Sequence, residues 1–197
     1  MANLDSPFGL RPAFHLMGGV MRNQRYYIED SKANAFYTGD LVSQLNTSKF
    51  IGTDVSGVYT SPAEASGPFL GVSFRDTDGN MIFRKSWVAS TATFGAEGAT
   101  ALVMDDPFVV YQIQFDSAMA LSTIGDVCDY TYVAGSHLTG QSKSTGVAGT
   151  SGSLLYIYDV VRSADNEVNA ANNKLLVLIN KHQLRNAGAA SYAAPST

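Results

Sequence analysis

Three histidines and two adjacent aspartates are the residues of this chain best suited to chemistry. His15, His137 and His182 would need to converge with carboxylates to hold a metal ion or to act as general bases. Their spacing gives no sign of convergence, because they fall in the N-terminal segment, in a loop and at the end of a predicted strand. We therefore predict no metal site, and interpret the histidines as surface or capping residues.

Asp105 and Asp106, which precede Pro107, resemble the paired carboxylates of general acid–base catalysis, whose pKa values are split. Neighbouring side chains of an extended strand point to opposite faces, so these two are not expected to share a proton. We interpret them as turn residues. The segment DTDGN at residues 76–80 begins like a calcium loop, but it lacks the third carboxylate position and the distal Glu, and a hairpin turn explains it better.

Cys128 is the single cysteine, which excludes an internal disulfide and a thiolate metal cage. It has no neighbouring His and is expected to be a small buried apolar residue. The sequence contains no GxSxG, no HExxH and no phosphate-binding glycine loop followed by Lys. We predict no catalytic residues and no cofactor, and favour a binding role over catalysis.

Six tyrosines lie in or beside predicted strands. Because aromatic side chains dominate interface energetics, they could line a sugar-binding or protein-binding face. The preference of tyrosine for strands accounts for them equally well, so both interpretations stay open. The six are Tyr26, Tyr27, Tyr130, Tyr132, Tyr156 and Tyr158.

The elements that must position these residues are short strands with glycine-rich connections. Residues 109–115 alternate with a period of two, which predicts a half-buried strand. Residues 69–87 predict a hairpin around Asp78-Gly79. SLLYIYDVVRS and KLLVLINKHQ are apolar on both faces, as in central strands. We predict a mainly β fold with very little helix, a β-sandwich or small β-barrel of about nine or ten short strands.

The first residues differ from this pattern. Residues 1–24 contain Pro7, Pro12 and several glycines, and their apolar side chains follow no period, which predicts an extended N-terminal arm. Residues 25–185 are expected to form a single β-rich domain. Residues 186–197 are small and polar, which predicts a mobile tail.

Composition limits the classes of partner. Of 197 residues, 45% are apolar, enough to bury a substantial core. Charged residues make up 15% and the net charge is −4, with no clustered cations, so nucleic acid is disfavoured as the main ligand. The sequence has no signal-peptide pattern and no run near the roughly 20 apolar residues that span a bilayer. We expect synthesis in the cytoplasm and no membrane partner.

The order of several sequence phrases resembles the capsid cement, or decoration, proteins of tailed bacteriophages. The resemblance is strongest over residues 1–30 and 100–184. The phrases are MANLDSPFGLRPAFH, RYYIED, FLGV, VMDDPFVVYQIQFD followed by LSTIGD, and YDVVRSADNEVNAANNKLLVLINKHQL.

This resemblance implies a structural virion protein without enzymatic activity. Many copies, made in the bacterial host cytoplasm, would bind the outer capsid surface and bridge neighbouring major capsid protein subunits. Other copies of the chain are the second expected partner, in a homo-oligomer whose form as a dimer or trimer, at two-fold or three-fold sites, stays open. The alternative is a host-receptor or glycan-binding head fibre or tail component of the virion.

The resemblance also suggests a role for the N-terminal arm. An arm without internal hydrogen bonds can lie across a neighbouring subunit, where its prolines limit the entropy lost on docking and its apolar side chains fill pockets. Whether the arm contacts capsid protein or another copy stays open. The expected interface residues are Pro7, Phe8, Leu10, Arg11, Pro12 and Phe14.

Overall fold

A computed structural model describes residues 3–29, 34–44, 49–52, 64–96, 98–149 and 153–185. They form fourteen strands and one turn of 3-10 helix at Leu121–Thr123. The strands are β1 (Arg11–His15), β2 (Gln24–Ile28), β3 (Phe36–Tyr37), β4 (Leu41–Gln44), β5 (Ile51–Gly52), β6 (Gly67–Arg75), β7 (Met81–Arg84), β8 (Ser86–Trp87), β9 (Ala99–Val103), β10 (Val109–Gln114), β11 (Val127–Thr131), β12 (Thr145–Ala148), β13 (Leu155–Val160) and β14 (Lys174–Ile179).

The predicted mainly β fold is confirmed. The strands pair antiparallel in sheets, and the described residues form a β-sandwich without a closed barrel. Fourteen strands are more than the nine or ten expected, and three of them are only two residues long. No helix in the described part of the chain is long and apolar enough to cross a membrane.

The first sheet contains six strands in the order β1, β10, β14, β13, β11 and β12. Tyr111 and Ile113 of β10 point into its core, as the period of two predicts. The strand is buried on its other face as well, so the prediction of a half-buried strand is wrong. The N-terminal segment causes this burial: Phe14 pairs with Val110, and the amide of Gln114 donates to Leu4 O and accepts from Ser6 N–H.

The second sheet has the order β2, β9, β6, β4 and β5, and β7 also pairs with β6. The hairpin predicted over residues 69–87 is present as β6 and β7. Strands β3 and β8 form a separate two-stranded ladder. The second sheet has its own core cluster, which includes Phe69, Phe74 and the fully buried Trp87.

The N-terminal segment packs on its own chain. Leu10 is buried in the core of the first sheet, and Phe8 is buried as well. The backbone N–H of Gly9 donates to Ser144 O, and that of Leu10 donates to Gly39 O. Residues 11–15 then form β1, where Pro12 suits an edge strand because it has no N–H to donate.

These contacts correct the expectation that Phe8 and Leu10 fill pockets on another polypeptide. Their apolar surface is already buried within the chain, because the segment packs against the first sheet, whose other strands come later in the sequence. Treating residues 25–185 as a single domain stays a prediction. The tail predicted for residues 186–197 lies outside the described residues.

Candidate interaction surface

Large apolar side chains are exposed along β1 and the loop that follows it. Met17 is 76% exposed and Val20 is 94% exposed, while Phe14 and Leu16 are exposed in part. Phe108 and Tyr158, also exposed in part, lie against this segment. We name the six residues Phe14, Leu16, Met17, Val20, Phe108 and Tyr158 the β1 patch.

The patch joins three separate parts of the sequence. The rings of Phe14 and Tyr158 meet edge to face, with centroids 5.9 Å apart. The backbone N–H of Leu16 donates to Phe108 O over 3.0 Å, which fixes the loop beside the turn before β10. Clustered exposed apolar side chains often mark protein contacts, and Met17 and Val20 are the most exposed members of this set.

The patch lies at a sheet edge. Strand β1 ends the first sheet, and β10 is its only neighbouring strand among the described residues. Its register shifts between Pro12 and Phe14, and irregularities of this kind are frequent at sheet edges. An edge strand offers backbone groups as well as side chains to another chain.

Polar contacts with two buried aspartates anchor the loop that carries the patch. The Arg22 guanidinium donates to the Asp105 carboxylate over 3.2 Å, and the Tyr26 hydroxyl donates to the same carboxylate over 3.1 Å. His15 Nε2 lies 3.3 Å from Asp106 Oδ2. These contacts hold both ends of the loop, so Met17 and Val20 are presented on a fixed support.

The two aspartates share Arg22, whose guanidinium contacts Asp105 and whose backbone N–H donates to Asp106, but Tyr26 contacts Asp105 alone and His15 contacts Asp106 alone. Burial raises the pKa of Asp106, but backbone N–H groups of Phe108 and Arg22 and the charges of His15 and Arg22 outweigh it, leaving that pKa below its ordinary value. Burial and the nearby Asp105 charge raise the pKa of Tyr26 to about 12. The lowered pKa of Asp106 favours its ionised form, as its contact with His15 requires.

The histidines lie at three separate places. His15 contacts Asp106, and His137 Nε2 lies 3.0 Å from the Tyr37 hydroxyl. His182 is fully buried; its Nδ1 accepts from the Leu184 N–H, while its Nε2 has no hydrogen-bond partner within the described part of the chain. Burial and the Arg185 charge lower the pKa of His182 to about 4. No group of three or more His, Cys, Asp or Glu in the described residues could hold a metal ion.

The other singled-out residues are divided between core and surface. Cys128 is buried as predicted, and burial raises the pKa of its thiol. Tyr26 and Tyr130 are core residues, whereas Tyr27 is exposed on the second sheet and Tyr156 on the first. Tyr156 and Tyr158 share the outer face of β13, but the six tyrosines do not form one common face.

Of the six residues expected at an interface, Phe14 alone belongs to the β1 patch. Arg11 is exposed on the same strand, and Pro7 and Pro12 are partly exposed. Sequence reasoning missed Met17, Val20 and Phe108. A signal for the first two was available in LMGGVM, residues 16–21, where four apolar side chains flank two glycines that interrupt any regular element.

Asp40 is a buried acid where the N-terminal segment meets both sheets. Its carboxylate accepts hydrogen bonds from the Tyr37 N–H over 2.8 Å and from the Ser144 hydroxyl over 3.4 Å. Burial raises the pKa of Asp40 to about 7, although hydrogen bonds from Ser142, Tyr37 and Ser144 offset part of the effect. The proton is therefore bound more tightly in the folded chain than in the unfolded chain.

This difference predicts a pH dependence of stability. The contribution of Asp40 is greatest below about pH 4, near its unfolded pKa, and is lost as the pH rises towards 7. We expect wild-type stability to fall by about 2 kcal/mol between pH 5 and pH 7, relative to Asp40→Asn. Urea denaturation followed by Trp87 fluorescence measures this difference. If the free energies of unfolding of the wild type and of Asp40→Asn change in parallel with pH, Asp40 keeps an ordinary pKa.

Comparison with known proteins adds no relative. No protein-family model, no curated protein and no solved structure matches the chain. The β1 patch, with the contacts of Arg22 and His15 that anchor its loop, is therefore the basis of the proposed function.

Proposed function

We propose that this chain is a structural virion protein that binds the outer surface of a bacteriophage capsid and bridges neighbouring major capsid protein subunits. In this proposal the β1 patch makes the contact with the shell. The observation that carries it is the exposure of Met17 and Val20 on a loop anchored at both ends. The resemblance of the N-terminal and C-terminal phrases to cement proteins supports the choice of partner.

The physical basis is the burial of apolar surface on an ordered support. Covering exposed apolar side chains stabilises a complex by about 25 cal/mol per Å². Because contacts of Arg22 and His15 restrain the two ends of the loop, less conformational entropy is lost on binding than a free arm would lose. A ligand that binds the assembled shell and not free subunits stabilises the shell by mass action. Self-association would let several weak contacts act together.

The test uses expanded capsids of a tailed phage that lack their decoration protein. We expect the chain to sediment with these shells, saturating at a fixed copy number, and to raise the temperature at which they disrupt. Unassembled capsid protein serves as the control. Absence of saturable binding to the shells, or equal binding to unassembled subunits, would contradict the proposal.

A second candidate, a receptor-binding or glycan-binding virion component, is favoured by a different surface. On the outer face of the second sheet, Tyr27 and Phe83 are exposed in one cross-strand row through Thr100 and Ser73. Exposed rings in a row can stack on sugars. Binding of the isolated protein to a glycan array, lost in Tyr27→Ala, would support this candidate over the first.

A further inference from the structure

A cleft lies beside the β1 patch, on the outer face of the first sheet. It has a volume of about 400 Å³. Its floor contains Arg11 of β1 and Gln112 of β10, which are directly opposite each other in the ladder. One wall comes from the N-terminal segment through Leu4, Ser6 and Phe8, and the other includes Asp165 and Lys174.

Two polar side chains on the floor of the cleft can form further hydrogen bonds. The Arg11 guanidinium lies 4.3 Å from the centroid of the Phe8 ring. Among the described residues it has no hydrogen bond or ion pair, and neither has the side-chain amide of Gln112. Stacking on Phe8 holds the guanidinium plane in place, which leaves its N–H groups free for a ligand.

The charge of the cleft favours a single negative group. Lys174 forms an ion pair with Asp165. Hydrogen bonds from Lys174 and Ser163 lower the pKa of Asp165 to about 2, so Asp165 is ionised at neutral pH and can pair with Lys174. Of the charged residues that line the cleft, Arg11 is therefore the one without an ionic partner in the lining. A carboxylate matches the guanidinium through two parallel hydrogen bonds.

We propose that this cleft binds a carboxylate side chain of the polypeptide that covers the β1 patch. The inference rests on the proposed function, because it assigns the carboxylate to a protein of the shell. Continuity along one strand supports that assignment: Arg11 and Phe14 both lie on β1. A partner segment running along β1 would place an apolar residue on Phe14 and an acidic residue over Arg11.

The carboxylate site is tested first on the isolated protein. N-acetylglutamate amide is titrated while the side-chain N–H signals of Arg11 and Gln112 are followed by NMR, with N-acetylglutamine amide as the neutral control. We expect saturable shifts with the acid only, weakened at least about tenfold in Arg11→Gln. Arg162→Gln, which removes an exposed cation outside the cleft, should bind the probe as wild type does.

Other results would overturn the proposal. Equal NMR shifts with the glutamate and glutamine probes, or no shifts with the glutamate probe, contradict a carboxylate site. Saturable shifts with glucuronate alone would assign the cleft to a sugar acid and not to a polypeptide.

Shell binding then tests the source of the carboxylate. Arg11→Gln should bind expanded capsids at least about tenfold more weakly than Arg162→Gln. Equal binding of these two variants overturns the inference but leaves the proposed function intact. If the wild-type protein binds no shells, the proposed function fails, and so does the assignment of the carboxylate to a shell protein.

Discussion

The double variant Met17→Ser, Val20→Ser is expected to bind expanded capsids about a hundredfold more weakly than the wild-type protein. Burial of a Met or Val side chain contributes about 1.5–3 kcal/mol, and a hundredfold change in Kd corresponds to about 2.7 kcal/mol. Both side chains are exposed in the free chain. Their replacement therefore removes binding energy while leaving the fold unchanged. Cosedimentation with capsids across a range of protein concentrations gives the Kd.

Leu138→Ser is the matched control, because Leu138 is 96% exposed and lies outside the β1 patch. Its affinity should equal that of the wild type. Both variants should unfold at the wild-type urea concentration. If Leu138→Ser weakens binding as much as the double variant, the contact depends on general surface hydrophobicity and the patch has no special role.

Replacing Gly9 by Ala is expected to lower the free energy of unfolding by about 4 kcal/mol. Gly9 has a φ of +69°, and a Cβ there would lie 2.4 Å from Gly39 O and 2.8 Å from Ser142 Oγ. Backbone strain and overpacking contribute about 1–3 kcal/mol each. Movement of the Gly39 carbonyl away from the new Cβ would weaken the hydrogen bond that it accepts from the Leu10 N–H.

Gly18→Ala separates these two effects. Gly18 has a similar φ of +71°, but a Cβ there would meet no atom within 4 Å. The Gly18→Ala variant should therefore lose only about 1 kcal/mol of its free energy of unfolding, through backbone strain alone. Urea denaturation followed by Trp87 fluorescence measures both variants. Equal losses would mean that the close approach of residues 9 and 39 contributes nothing to holding the N-terminal segment.

The sequence was informative where the physical signal is local. The hairpin of β6 and β7 follows from a turn sequence between two apolar runs, and both elements lie where expected. The core face of β10 follows from side-chain alternation. The burial of Cys128 follows from its small apolar side chain and the lack of a motif.

The parts that could not be predicted depend on contacts between distant residues. Nothing in SPFGLRP indicates that Gly9 meets Gly39 and Ser142, because no periodicity connects these segments. The sequence predicts an exposed outer face for β10 for the same reason. The residues that contact Gln114 on that face, Leu4 and Ser6, lie 110 and 108 residues before it. Asp106 is a turn residue as predicted, since it accepts the Phe108 N–H with its carboxylate and the Val109 N–H with its backbone oxygen. The partners Arg22 and His15 of the two aspartates, however, depend on the fold and not on the local sequence.

The arrangement also changes the role expected for the N-terminal segment. A free arm would lose much conformational entropy on docking, whereas a segment already packed on its own sheet loses little. Phe8 and Leu10 therefore act within the chain by holding β1 in place. The contact with a partner is assigned to the residues that β1 and its loop leave exposed.

Methionine oxidation in intact particles tests the central claim most directly. Met17 in the β1 patch is 76% exposed, and Met81 on β7 is 69% exposed, so hydrogen peroxide should oxidise both at similar rates in the free protein. Mass spectrometry of the free and shell-bound protein measures the two rates. We predict that shell binding slows the oxidation of Met17 at least about tenfold and leaves that of Met81 unchanged. Unchanged oxidation of Met17 in particles that carry the protein would contradict the assignment of the β1 patch as the contact.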